Sequence, residues 1–350
     1  MTTLALYAVV VSGVIATYAS TRRLVDAAAA RSSAAVLTTL PLYVVHGLLL
    51  RDDAITFGGE ALAFAGLGVA LLAEVPVRER LRFLAVGAAG MALAGEARGL
   101  LLGAALPLLS VGLAAALVPS PERSGRALAA LTLAAGAAAA ALGLLALVER
   151  APPVHPAPTF DAALSGAVHG LFPWSAVLPL VGSALARSAS SAPRPGRALR
   201  VALALSLGLG YGMVALCTRM GLPVPFVAPA VVAMSVGLTI RDLDLLGGRG
   251  GLRASPSAIL AALSFAALLV CDAVISPGTA LAPFAGLPLT GAAEATLASL
   301  VPISTATLAL GIVLLCVPRL ALSRLVGPGT WLLGWGVASA LLLLLGHHAR

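Results

Sequence analysis

The sequence predicts an all-α, polytopic membrane protein of about 12 transmembrane helices (11–13), built as a single integral membrane domain over residues 1–350. Three observations predict it. Hydrophobic residues make up 60% of the chain and charged residues 10%, with a mean hydropathy of +1.03, whereas soluble domains carry about 25% charge. Apolar stretches approach the ~20 residues needed to cross a ~30 Å hydrocarbon core as helices. They lack the two-residue alternation of a membrane barrel, and only helices or closed barrels satisfy every backbone group in lipid. The third observation is the distribution of arginine. All 22 basic residues are Arg, and they alternate between the two sides of the predicted spans.

The spans are read in order. The first, 3–19, starts without a basic leading segment or cleavage site and is expected to be a retained helix. Spans 33–50 and 55–74 flank the polar Arg51, Asp52 and Asp53. Span 82–96 is short and ends at Glu96 and Arg98, so it is predicted to form a tight hairpin with 99–118. Spans 127–148 and 163–186 follow, the second containing HGLFPWS from His169. The polar, Pro- and Ser-rich stretch 187–199 reads as a cytoplasmic linker between a first half, 1–186, and a second half, 200–350. Spans 200–218, 222–240, 256–275, 297–316 and 326–346 complete the second half. The apolar, proline-bearing stretch 276–296 suggests a re-entrant segment.

One side of this arrangement carries 17 arginines, in the groups 22–31, 78–82, 123–126, 187–200, 241–253 and 319–324. The other carries 5: Arg51, Arg98, Arg150, Arg219 and Arg350. Positive charge stays cytoplasmic. The chain is therefore expected in a bacterial inner membrane with both termini periplasmic. The pI of about 10.6 follows from this topology, and no nucleic-acid partner is expected.

Ionisable and polar groups inside spans mark candidate sites. Asp272, near the outer end of the tenth span, is the leading titratable group; Glu60 and Glu294 lie near helix starts, where the dipole favours acids. Two spans carry a proline with hydroxyl side chains: Pro107 and Ser110 in the fifth, and Pro302, Ser304 and Thr305 in the eleventh. Such spans are expected to be interrupted, forming a midplane ion site. Residues 104–113 and 300–307 should then be unwound and cross. Trp174, Trp331 and Trp335 are expected in an interfacial belt. Cys217, Cys271 and Cys316 have no metal-type spacing. The chain contains no GxSxG, HExxH, P-loop or CxxC motif. No enzyme activity, cofactor or metal is expected.

Residues 200–240, 60–82, 99–118 with its LSVG, and 293–312 with Pro302 resemble the cation/proton antiporter superfamily, the membrane domain of sodium/proton exchangers and Kef-type potassium systems. The resemblance implies a two-half antiporter-like helical fold and secondary transport of a monovalent cation or proton, with a homodimer as the expected assembly. Asp272, Ser110, Pro302, Ser304 and Thr305 would line the path. The family's acids in its sixth helix correspond to Ala139 and Ala140, which neither titrate nor bind cations. A degenerate, non-coupled relative therefore stands beside the transporter reading. Two alternatives remain open. One is a scaffold or sensor subunit of a larger complex. The other is a lipid-modifying enzyme, which would require His46, Asp52, Asp53, His155 and His169 to gather on the outer face.

Overall fold

The computed structural model describes residues 3–150, 164, 167–188, 192–222, 224–247, 256–275, 291–314 and 327–348. These residues are almost wholly helical and include no strand. The chain is a polytopic, all-helical membrane protein. Five helices are long and apolar enough to cross a bilayer, or six when one bent pair counts as a single span, and four shorter apolar helices accompany them. The expected count of twelve is not reached on the described residues. The stretch 276–290 and His155 lie outside them.

The helices are α1 (Thr3–Leu24), α2 (Ala27–Thr39), α3 (Pro41–Leu49), α4 (Arg51–Leu72), α5 (Val77–Leu100), α6 (Leu106–Leu117) and α7 (Arg123–Arg150), then α8 (Leu178–Ser188), α9 (Arg194–Arg219), α10 (Pro229–Gly247), α11 (Pro256–Ile275), α12 (Gly291–Leu314) and α13 (Pro328–His348). Local chemistry sets several boundaries. Asp26 caps α2 by accepting from the Ala29 N–H at 2.9 Å. Pro41 takes the first position of α3, where its missing N–H costs nothing. Leu40 is extended between α2 and α3, and the two helices meet at 58°.

The first spans form a three-layer unit. The Tyr43 hydroxyl donates to the Val10 carbonyl at 2.7 Å, and Gly58 lies against Val9 while Gly68 lies against Leu24. α1 and α4 therefore pack directly and run parallel, and the bent α2–α3 pair that links them in sequence runs antiparallel to both. α4 then packs antiparallel on α5 through glycine. A methyl group added at Gly59 would sit 2.8 Å from both the Ala94 nitrogen and the Gly90 oxygen. Small residues allow backbones this close, and close backbones supply the dispersion contact that replaces the hydrophobic effect in lipid.

α5 breaks at Gly99, one residue before its end, where a φ of 80° is open to glycine at little cost. There the chain folds back through a π-helical turn, Leu101–Ala105, into α6, and Gly103 rests on the backbone of Ala94 and Gly95. α6 is continuous across 106–117, and α12 is continuous across Pro302. α6 packs on α7 and α9, and α12 on α13 and α11. The expected pair of unwound, crossing helices is thus corrected. The Ser110 hydroxyl donates to the Leu106 carbonyl at 2.8 Å and the Thr305 hydroxyl to the Val301 carbonyl at 2.8 Å. Pro107 sits in the first turn of α6, where its missing N–H costs little, and the helix continues past Pro302 in α12.

The arginine-rich ends meet each other. Arg23 pairs with Glu79, Arg80 with Glu122 at 3.2 Å, Arg241 with Asp26 at 2.7 Å and Arg200 with Asp242 at 2.8 Å. Arg194 donates to the carbonyls of Pro119 and Leu72. Every one of these contacts joins loops or helix ends that the alternation puts on one side. Asp244 of α10 supplies the cap of α13, accepting from the Gly329 N–H at 2.7 Å, the Thr330 N–H at 3.1 Å and the Thr330 hydroxyl at 2.8 Å. Burial alone would raise the Asp26 carboxyl. Its bonds from the Ala29 N–H and from Arg241 outweigh that and hold it below the ordinary carboxylate value of 3.8.

Candidate functional site

The opposite end of the bundle holds a charged cluster built by three helix ends. His46 lies in the last turn of α3, and Asp53 in the first turn of α4, where the dipole favours an acid. One extended residue, Leu50, separates the helices and turns the two side chains toward each other. His46 Nδ1 lies 2.8 Å from Asp53 Oδ2. Asp53 Oδ1 accepts from Arg98 at the end of α5. Asp53 and His46 are almost fully buried, whereas Arg98 keeps about a quarter of its side chain exposed. The Phe57 ring lies against His46 with centroids 6.5 Å apart. His46 Nε2, Arg98 Nε and Glu60 Oε1 have no hydrogen-bond partner among the described residues.

Arg98 connects this cluster to a cavity of about 560 Å³. The hairpin around Gly99 forms one wall, from Gly95 to Leu102; Gly143, Ala146 and Leu147 of α7 form another, and Cys217, Leu222 and Val224 close the third. Two charged side chains line it, the exposed Glu96 and Arg98. An arginine with an unpaired N–H and a solvent-accessible carboxylate, in an otherwise apolar cavity, suit an anionic group carried on a lipid-soluble body.

A second His–Asp pair stands on the same side of the bundle. His169 Nε2 lies 2.7 Å from Asp272 Oδ2. The adjacent Gly170 rests on Leu42, one helical turn from His46 on α3. The lipid-enzyme alternative required His46, Asp52, Asp53, His155 and His169 to gather; the described residues show two separate pairs, His46–Asp53 and His169–Asp272, and His155 lies outside the described residues. Among the described residues no group of three or more His, Cys, Asp or Glu side chains could hold a metal ion.

The other candidates separate. Glu60 is buried about two turns further along α4. Ser304 bonds Ser339 across α12 and α13, hydroxyl to hydroxyl at 2.6 Å, which ties two helices rather than opening a path. Pro302 is half-buried inside α12. Glu294 lies in the first turn of the same helix, its side chain outside the described atoms. Trp174 is completely buried against Gly336 and not in an interfacial belt. Sequence reasoning missed Glu96 and Arg98 as site residues. The available signal was a lone Glu–x–Arg–Gly at the tip of an apolar hairpin on the arginine-poor side.

No protein-family model matches the chain, and no curated protein does. Among solved structures it is similar to ArnT from Cupriavidus metallidurans in the apo state, with TM-score 0.59 and 18% identity over 99% of this chain and 62% of that one. It is similar also to ArnT from the same organism bound to undecaprenyl phosphate, with TM-score 0.60 and 16% identity over the same shares. The chain thus spans less than two thirds of the length of the ArnT chains that it matches. Identity at this level carries the fold, and the fold is not that of an antiporter. The antiporter resemblance is corrected on this finding: small apolar residues fill many membrane helices, and order alone did not discriminate. Secondary transport rested on that resemblance and is corrected with it, and the expectation of no enzyme activity, drawn from absent motifs, is corrected by the same similarity to ArnT. The monovalent cation, the proton and the homodimer gain no support.

Proposed function

We propose that this chain is a lipid-modifying membrane enzyme, a glycosyltransferase that handles a sugar carried on a polyprenyl phosphate. The observation that carries the reading is the fold shared over 99% of the chain with ArnT, one of whose structures holds undecaprenyl phosphate. GT-C glycosyltransferases have this architecture. The cavity beside the His46–Asp53–Arg98 cluster supports it chemically, since it offers a cation for phosphate and a carboxylate for a hydroxyl proton. The arginine alternation supports a periplasmic location for this site in a bacterial inner membrane, with about twelve spans.

In this reading Arg98 binds the carrier phosphate. Glu96 takes the proton of the acceptor hydroxyl, whose oxygen attacks the anomeric carbon of the sugar. The bond from that carbon to the phosphate oxygen breaks, and its electron pair leaves with the phosphate beside the guanidinium. Asp53 and His46 act as positioning residues that hold Arg98 at the cavity wall.

The test is sugar transfer from a labelled polyprenyl-phosphate sugar in proteoliposomes. Glu96→Gln is expected to lower turnover on the order of 10²-fold or more with the fold intact. Arg98→Gln is expected to lower turnover and weaken carrier binding. A wild-type protein that moves no sugar from such donors, or Glu96→Gln at the wild-type rate, would sink the reading.

A further inference from the structure

A second cleft of about 680 Å³ lies between α8, α9 and the segment before α8, reaching from Arg200 at the arginine-rich end to Val168 and Leu171 on either side of His169. Its walls are apolar, from Leu171 and Val181 to Leu205 and Phe226, with two polar exceptions, Tyr211 and Arg200. α8 and α9 are joined by a short connection, so Leu185 and Ala186 of α8 lie at the same end as Arg200 and Val201 of α9. Arg200 is 3% exposed. Its Nη2 pairs with Asp242, but among the described residues its buried Nε and Nη1 have no hydrogen-bond partner. An arginine left with unpaired donors at the end of an apolar slot is costly unless an acceptor comes to it.

We propose that this cleft is a binding site for an anionic glycerophospholipid of the arginine-rich leaflet, with its phosphodiester at Arg200 and one acyl chain along α9. Length supports this occupant. From Arg200 to Tyr211 the wall of α9 runs about 16 Å at 1.5 Å per residue, close to half of a ~30 Å hydrocarbon core. That wall accommodates one acyl chain. Charge supports an anionic headgroup. Arg194 and Arg197 occupy the first turns of α9 beside Arg200, and each basic residue near a membrane surface favours anionic lipid about fivefold. The site uses none of the residues of the His46–Asp53–Arg98 cluster and does not depend on the glycosyltransferase reading.

The experiment is lipid retention by the purified full-length protein, measured by native mass spectrometry with four probes: phosphatidylglycerol, phosphatidylcholine of the same chains, dihexanoyl phosphatidylglycerol and inorganic phosphate. Phosphatidylglycerol is expected to be retained about fivefold or more over phosphatidylcholine, with neither short-chain lipid nor inorganic phosphate competing. Gly182→Phe fills the slot from a position where an added Cβ meets nothing within 4 Å, and should abolish retention without touching Arg200. Arg200→Gln combined with Asp242→Asn removes both charges together, so that neither is left unpaired, and should remove the headgroup preference. Equal retention of the two long-chain lipids, competition by inorganic phosphate, or full retention in Gly182→Phe would each overturn the proposal.

Discussion

Asp53 is the residue on which the outer-side cluster depends, because one carboxylate accepts from both His46 and Arg98. Asp53→Ala leaves a partly buried guanidinium without its counter-ion. A loss of about 3 kcal/mol is expected, read as a lowered midpoint in a thermal melt of the detergent-solubilised protein; an unchanged midpoint would show the cluster to be structurally idle. Asp26 gives a pH signature on the opposite side. Its carboxyl is held below the ordinary 3.8 in the folded protein, so its contribution is complete above that pH and lost as pH falls through the lower native value. Melting temperature should drop below about pH 4, and Asp26→Asn should flatten that part of the curve. Single residues were unevenly legible. Intramembrane rarity marked Glu60 and Asp272, and the structure gives Asp272 a histidine partner. The partner was invisible because His169 is 103 positions away, and no local spacing encodes such a pairing.

Elements depend on glycine more than on any side chain. Gly99→Ala places a Cβ at φ 80°, which costs about 1 kcal/mol and disfavours the fold-back that shapes the cavity wall. Lower stability together with a larger loss of carrier binding is expected, and a variant with unaltered binding would separate the hairpin from the site. Gly90→Val should be worse, since Gly90 faces the backbone of Gly59 and Ala63. Separation of α4 from α5, with a destabilisation of about 3 kcal/mol or more, is the expected outcome in a melt. The hairpin at 82–118 was readable from Glu96, Arg98 and Gly99, which interrupt two apolar runs. The supposed unwinding at Pro107 and Pro302 was not, because a proline near a helix start or inside a span with hydroxyl neighbours need not break it. Pro107 shows why: it falls in the first turn of α6, where the helix needs no N–H from it.

For the whole molecule, the alternation of arginine proved the most informative pattern, and the ion pairs Arg23–Glu79, Arg80–Glu122, Arg241–Asp26 and Arg200–Asp242 join ends that it assigns to one side. Cysteines introduced at Ser124 and at Ala97, in a background lacking the native thiols, should label from opposite sides of intact cells; labelling of both by an impermeant reagent would reject the topology. Family assignment was beyond the sequence, since Ala, Leu and Gly serve every helical membrane fold alike and only the spatial order of helices separates one from another. That order also constrains biosynthesis. Helix α13 borrows its N-terminal cap from Asp244, 85 residues upstream. A nascent chain leaving the ribosome has the acceptor inserted well before the donors emerge. α13 therefore docks onto helices that are already in place, and Asp244 waits, hydrated, for the N–H groups it will cap.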